Sequence, residues 1–201
     1  MKAKIKLAFL RIAFNVVMVT RCYPIWSKLH RLISDRAPRK AGITLPLFSN
    51  IDEIVPLIND FVWRPDSLED AGDAICSPEM VWYRYLLDVD HKIGDCDEFA
   101  IFISSVIKKS INAGTWMSVV EDPNLLSTTW MNPDGKVEGH NVCILRVGQT
   151  YGFMDYGDPV WCGAKERVPL MILNQRAAKN ATLVGWAIHT PDLRLMEYHN
   201  K

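Results

Sequence analysis

A single cysteine, Cys96, stands where the sequence predicts that a long helix begins. Gly94 provides a turn, Asp95 is a good N-cap residue, and Glu98 follows three residues later, as in a capping box. The free backbone N–H groups and the dipole at a helix start favour an anion and lower the pKa of a thiol there. The negative charges of Asp97 and Glu98 act in the opposite direction. Cys96 is therefore a candidate nucleophile that needs a general base.

The candidate base lies in a predicted hairpin. Gly148-Gln149 is a glycine-first pair suited to a two-residue type II′ turn. With that turn Val142 faces Asp155, and the alternation of side chains puts His140 on the same face, within side-chain reach of Asp155. A carboxylate in that place can hold the imidazole in one tautomer. The imidazole can then accept a proton from a thiol.

Other assignments of these residue types stay open. Asp158 would replace Asp155 if the hairpin turn were longer than two residues. Cys143 falls on the strand face opposite His140 and is predicted to be a buried structural cysteine. A metal site is chemically possible, but a glycine-flanked helix start is more typical of a nucleophile. The ligands of such a site would be Cys96, His140, Asp155 and Cys162.

Three segments together resemble the nucleophile, histidine and aspartate motifs of the transglutaminase-like superfamily, whose core is shared with papain-like cysteine proteases. The segments are Gly94-Asp95-Cys96-Asp97-Glu98-Phe99-Ala100, Gly139-His140-Asn141-Val142 and Tyr151-Gly152-Phe153-Met154-Asp155. The spacings, 44 residues from Cys96 to His140 and 15 more to Asp155, suit such a core. The resemblance covers roughly residues 60–160, which is a typical domain size.

The resemblance implies a catalytic triad, with Cys96 as nucleophile, His140 as general base and then acid, and Asp155 as the residue that orients the imidazole. It implies attack on an amide or acyl carbonyl, a thioester intermediate, and transfer to water or an amine. The backbone N–H of Cys96 would be one oxyanion donor. Trp82 is a candidate for the second donor, and Trp63-Arg64-Pro65 is an alternative farther upstream.

We expect hydrolysis of a protein or peptide amide rather than cross-linking, because water is always present and transfer to an amine needs a second substrate site. No cofactor or metal is expected. Calcium dependence is not implied, because no acidic loop has EF-hand spacing. The alternative hypothesis is a catalytically silent binding or assembly module of the same fold, which docks through the basic residues 1–40.

Charge is distributed unevenly along the 201-residue chain, although its 23 basic and 23 acidic residues cancel. Residues 1–40 contain ten Lys or Arg and one acid, which leaves the remainder with 13 basic and 22 acidic residues. Such a basic segment is typical of docking to the acidic body, to an acidic partner or to a membrane surface. No helix-turn-helix, zinc-finger or RNP pattern occurs, so sequence-specific nucleic-acid binding is not expected.

The composition, 49% hydrophobic, indicates one core domain. We assign residues 1–48 to a basic helical extension and linker, and residues 49–201 to the cysteine-hydrolase domain. Residues 5–19 are almost wholly apolar but lack a cleavage site, which favours a helix packed on the domain over a signal peptide; an interfacial or partner-binding helix is the alternative. The five cysteines, without CxxC spacing, favour a reducing compartment, the cytoplasm.

Hydrophobic periodicity predicts an α+β fold, with helices first and an antiparallel sheet after them. Helices are expected from Ile51, over residues 79–89, from Cys96 to Asn112 and over residues 171–178. Strands are expected at 116–120, at 128–131, from 138 through the hairpin to 155, and at 181–188 as the last strand. Residues 34–48 are expected to form a linker or wrapping loop.

Overall fold

The computed structural model describes residues 32, 35–63, 76–87 and 92–200. A six-stranded antiparallel sheet with helices packed on it confirms the α+β class. Within these residues, no helix combines the length and the apolar character that crossing a membrane requires. The predictions for residues 5–19, Arg64 and Pro65 lie outside the described residues.

Helices precede the strands of the main sheet, as predicted, apart from one helix between the fourth and fifth of those strands along the chain, and two short strands lie among the earlier helices. The described helices are α1 (Arg36–Lys40), α2 (Ile51–Asn59), α3 (Pro78–Leu87), α4 (Cys96–Asn112) and α5 (Arg167–Arg176). The strands are β1 (Val62–Trp63), β2 (Lys92–Gly94), β3 (Glu121–Met131), β4 (Val137–Val147), β5 (Thr150–Met154), β6 (Val160–Gly163), β7 (Thr182–His189) and β8 (Leu195–Asn200). The main sheet has the order β6-β5-β4-β3-β7-β8, and β1 pairs with β2 in a separate parallel sheet.

The hairpin of β4 and β5 has the predicted turn and register. Val147 pairs with Thr150, and Cys143 pairs with Met154. Gly148, in the turn, has φ 57°, a left-handed conformation that glycine adopts without strain and that turns of this kind require. Since the register decides which side chains share a face, it also sets the relation between His140 and the residues that follow β5.

The main sheet carries a hydrophobic core on each face. Cys143 and Leu145 belong to the core that contains the apolar side of α4, and Cys143 is buried as predicted. Val142 and Ile144 belong to the core that contains α5. The two helices therefore lie on opposite faces of the sheet. Because side chains alternate along β4, His140 lies on the α5 face.

Several local predictions are confirmed, with shifted boundaries. Helix α2 starts after Asn50, whose side-chain oxygen accepts a hydrogen bond from the N–H of Glu53 at 3.2 Å. Residues 43–48 wrap along α4, where Lys109 Nζ donates to the carbonyl of Leu45 at 2.8 Å. Residues 34–48, predicted to be a linker or wrapping loop, contain a short helix, α1, at residues 36–40. Helix α5 begins at 167 rather than 171.

Two strand predictions are wrong. Residues 116–120 form a bend instead of a strand, in which the indole N–H of Trp116 donates to the carbonyl of Val120 at 3.0 Å. Strand β7 is not the last strand, because β8 follows it and pairs with it at the edge of the sheet. Four of the six residues of β8 are exposed, Met196 and Tyr198 among them, so β8 lacks the buried apolar face by which a strand is recognised.

Candidate active site

The predicted capping box forms at the start of α4. Asp95 is the N-cap residue, and its side chain accepts a hydrogen bond from the N–H of Asp97 at 2.9 Å. The carboxylate of Glu98 accepts one in return from the N–H of Asp95 at 3.3 Å. These bonds satisfy N–H groups that a helix start otherwise leaves without partners. They place Cys96 at the first position of the helix, as predicted.

The Cys96 thiol is partly buried and interacts with its acidic neighbour. Sγ is 3.5 Å from Asp97 Oδ1. Burial raises the pKa of Cys96, and the charges of Asp97 and Asp95 raise it further, whereas the backbone N–H of Asn141 lowers it. The expected effect of the helix start is thus outweighed by desolvation and by two carboxylates. The Cys96 thiol is therefore protonated at neutral pH.

Asp97 also joins the helix to the sheet. Its carboxylate accepts a hydrogen bond from the side-chain amide of Asn141 on β4, and both residues are buried. Asn141 is the neighbour of His140 in the chain. The start of α4 is therefore tied to the strand position that follows the candidate base.

Replacing Asp97 by asparagine is expected to speed alkylation of Cys96. Loss of this charge removes a repulsion that disfavours the thiolate, so the pKa of Cys96 falls and more thiolate is present at any pH below it. An adjacent charge commonly moves a pKa by about one unit, which gives roughly a tenfold faster reaction with iodoacetamide near neutral pH. Peptide-resolved mass spectrometry would measure the rate, with Cys162 in the same molecule as the control. An unchanged rate at Cys96 would contradict the assignment of Asp97 as the inhibiting charge.

His140 and Asp155 meet as the hairpin register predicts. His140 Nε2 is 2.8 Å from Asp155 Oδ1, and the two side chains are only 12% and 6% exposed. Asp158, the alternative partner, is exposed. The carboxylate that holds the imidazole is therefore that of Asp155, which the structure places directly after β5.

Arg176, the last residue of α5, completes a three-membered chain with this pair. Its Nε and Nη2 donate to Asp155 Oδ2 at 2.8 and 2.5 Å. Burial would raise the pKa of Asp155, but the hydrogen bonds and charges of His140 and Arg176 outweigh burial and hold that pKa below its ordinary value. Asp155 is therefore ionised at neutral pH.

Cys96 and His140 are close to the same part of β4 but approach it from different sides. Helix α4 packs on one face of the sheet, and the imidazole lies on the other. No hydrogen bond joins the two side chains among the described residues; the thiol bonds to Asp97 and the imidazole to Asp155. The structure thus brings together the histidine and the aspartate of the predicted triad, whereas no contact between Cys96 and His140 is seen in the described residues.

Tyr156 is a site residue that sequence reasoning missed. Its ring centroid lies 4.3 Å from that of Phe99 and 6.4 Å from that of His140. Its backbone has φ 55°, an uncommon conformation for a bulky residue that costs about 1–3 kcal/mol. Oη is buried and has no hydrogen-bond partner in the described part of the chain. Burial and the nearby charges of Asp95 and Asp155 raise the pKa of Tyr156, so the hydroxyl keeps its proton.

An open cleft of about 530 Å³ lies beside the candidate base, His140. Its lining is formed by Trp130, Glu138, Gly139, His140, Tyr156 and Arg176. Trp82 lies elsewhere, with its ring stacked 5.7 Å from Phe102 and 5.1 Å from Tyr85. Its role as an oxyanion donor stays a prediction.

The four-residue metal site considered from the sequence is not assembled in the described residues. Cys162 packs in the core that contains α5. The metal-ligand atoms that do come together, within 4.8 Å of one another, are those of Asp95, Cys96 and Asp97. Their carboxylates already accept hydrogen bonds from the helix start and from Asn141.

Comparison with known proteins finds no relative: no family model, curated protein or solved structure matches this chain.

Proposed function

We propose that the protein is a thiol-dependent amide or peptide hydrolase, or acyl transferase, of transglutaminase-like type. The observation that carries this proposal is the contact of His140 Nε2 with Asp155 Oδ1 at 2.8 Å. His140 lies on β4, the strand to which Asp97 and Asn141 tie the capped start of α4, with Cys96 at its first position. Single buried histidines and cysteines are common in cores. A histidine held by an ionised carboxylate beside a cleft is the arrangement that a general base requires.

In the proposed reaction the Cys96 thiol leaves Asp97 and meets His140 around the edge of β4 that β5 does not cover. There the imidazole takes the thiol proton as Sγ attacks the carbonyl carbon of the substrate. The carbonyl π electrons move to oxygen and form a tetrahedral oxyanion. When the oxyanion collapses, the C–N bond breaks, and the imidazolium gives its proton to the leaving amine. Water then attacks the thioester with His140 as base, which releases the acid and restores the thiol.

The oxyanion needs hydrogen-bond donors, and two groups fit that need. The backbone N–H of Cys96 is one, because it belongs to the first turn of α4. The hydroxyl of Tyr156 is the other, because it is buried, protonated and without a partner among the described residues. Donors fixed before the reaction in a site with little water stabilise developing charge strongly.

The proposal is tested by trapping the acyl enzyme. Incubation with p-nitrophenyl acetate and quenching in acid should leave an acetyl thioester on Cys96, seen by peptide mass spectrometry. The His140→Ala variant should form it about 10²–10⁴-fold more slowly, the usual contribution of a general base. Equal rates in both proteins, or acetylation only at other residues, would contradict the proposal.

A specific observation favours a second candidate, a catalytically silent module of this fold. The thiol pKa is raised by burial and by Asp97, and the thiol is bonded to Asp97 rather than to the base. Such a protein would act by docking through its basic residues 1–40. Replacing Lys2, Lys4 and Lys6 by glutamate in the full chain would then abolish binding to acidic vesicles or partners, with no acyl enzyme formed by either protein.

The setting that we propose is the cytoplasm. The cysteines at 76, 96, 143 and 162 are free thiols, which fits a reducing compartment. The substrate that we propose is a protein or peptide amide, and the reaction needs no cofactor.

A further inference from the structure

The two oxygens of Asp155 have different partners. Oδ1 lies 2.8 Å from His140 Nε2, and Oδ2 accepts hydrogen bonds from Nε and Nη2 of Arg176. The carboxylate is 6% exposed and the arginine side chain 42% exposed. Arg176 therefore reaches in from the cleft and fixes the carboxylate by the oxygen that the histidine does not use.

The charges around the imidazole come from several elements. On its own strand, Glu138 is already paired with Lys136 at 2.6 Å and with Asn132 at 2.8 Å. Tyr156 contacts the ring and stays neutral, since its pKa is raised by burial. The carboxylates of α4, Asp95 and Asp97, engage the helix start and the sheet. Asp155 and Arg176 are thus the charged pair that acts directly on His140.

We propose that Arg176 is a positioning residue that sets the strength of His140 as a base: it holds Asp155 in place and neutralises the carboxylate that would otherwise stabilise the imidazolium. The use of this effect in catalysis rests on the proposed function. The effect itself does not, because it concerns a pair of groups that exists in the resting protein.

His140 and Arg176 share the negative charge of the Asp155 carboxylate. An unopposed carboxylate next to an imidazole favours the imidazolium, which has no free electron pair to accept the proton of a thiol. A guanidinium on the other oxygen reduces that attraction. The orientation of the imidazole is still held by the Oδ1 hydrogen bond.

The test is a proton titration of the histidine Cε1–H resonances by NMR in the full-length chain, with His140 assigned by its absence in His140→Gln. Replacing Arg176 by glutamine should move the titration midpoint of His140 upward by about one pH unit, the size expected for a nearby charge. Arg176→Lys keeps the charge, and its midpoint should stay close to that of the unchanged protein. Arg167→Gln, at the other end of α5, is the matched control and should have no effect.

A midpoint in Arg176→Gln that is unchanged or lower would overturn the inference. An unchanged midpoint would mean that the charge does not reach the imidazole, and a lower one that Arg176 only holds Asp155 in position. The titration needs no turnover, so a shifted midpoint without acyl-enzyme formation would support this inference while contradicting the proposed function. In an active enzyme, the acidic limb of the acylation rate should move upward by the same amount.

Discussion

Replacing Cys96 by alanine is expected to lower amide or ester cleavage by roughly 10⁴-fold or more, the usual result of removing the nucleophile of a triad. The hydrogen-bond donors of the site would remain, but without Sγ no thioester can form and the reaction loses its covalent route. The measurement is the steady-state rate of p-nitrophenol release. Because the side chain is small and partly exposed, the variant should keep its fold, which circular dichroism would check.

The matched control is Cys162→Ala, which removes a thiol from the α5 face of the sheet, on the side away from α4. Its cleavage rate should stay within about twofold of the unchanged protein, since a thiol packed in the core on the other face of the sheet takes no part in attack by Cys96. If Cys96→Ala retained the full rate, or if both variants lost it equally, Cys96 would not be the nucleophile. The silent-module hypothesis would then be the better account of the fold.

Replacing Gly94 by alanine is expected to lower the free energy of unfolding by about 2–4 kcal/mol, which combines a strained backbone with overpacking. Gly94 has φ 139°, which side chains rarely adopt, and an added Cβ would lie 2.9 Å from Cβ, Cγ and Oε2 of Glu98. Glu98 is buried against this glycine and accepts the N–H of Asp95. The substitution should therefore displace the capping box together with Cys96. Urea denaturation would measure the change in unfolding free energy.

Gly114→Ala separates the two causes. Gly114 also has a positive φ, 70°, but an added Cβ there meets nothing within 4 Å. Its variant should lose only about 1 kcal/mol, the cost of a left-handed alanine. Equal losses in the two variants would mean that the contact with Glu98 contributes nothing and that the backbone conformation alone explains the need for glycine at 94.

The parts of the site that sequence reasoning found are those set by short-range rules. The capping box depends on Asp95 and Glu98, three residues apart, and the helix start follows from them. The pairing of His140 with Asp155 depends on a two-residue turn and on side-chain alternation, both of which can be counted along the chain. These rules operate within one element or one hairpin, so they need no knowledge of how elements pack.

The parts that sequence reasoning missed depend on packing between elements. Nothing in the sequence says that Arg176 comes from α5 to the oxygen of Asp155 that the histidine leaves free. The left-handed backbone of Tyr156 is unusual for an aromatic residue, so the residue type alone would not predict that conformation. That α4 and the imidazole lie on opposite faces of the sheet follows from the position of α4 on the sheet, which periodicity does not determine.

Strand β4 is longer than its neighbour in the hairpin, and this has a consequence for solubility. Its residues 143–147 pair with β5, whereas in the described chain 137–142 pair with β3 alone. That stretch is paired on one side only, although β4 lies in the interior of the sheet. Unpaired strand edges invite pairing with other chains. The ion pair of Lys136 and Glu138 at its start opposes such pairing. The cleft beside His140 therefore coincides with a strand edge that is open to intermolecular pairing, and neutralising these two charges would favour association at that edge.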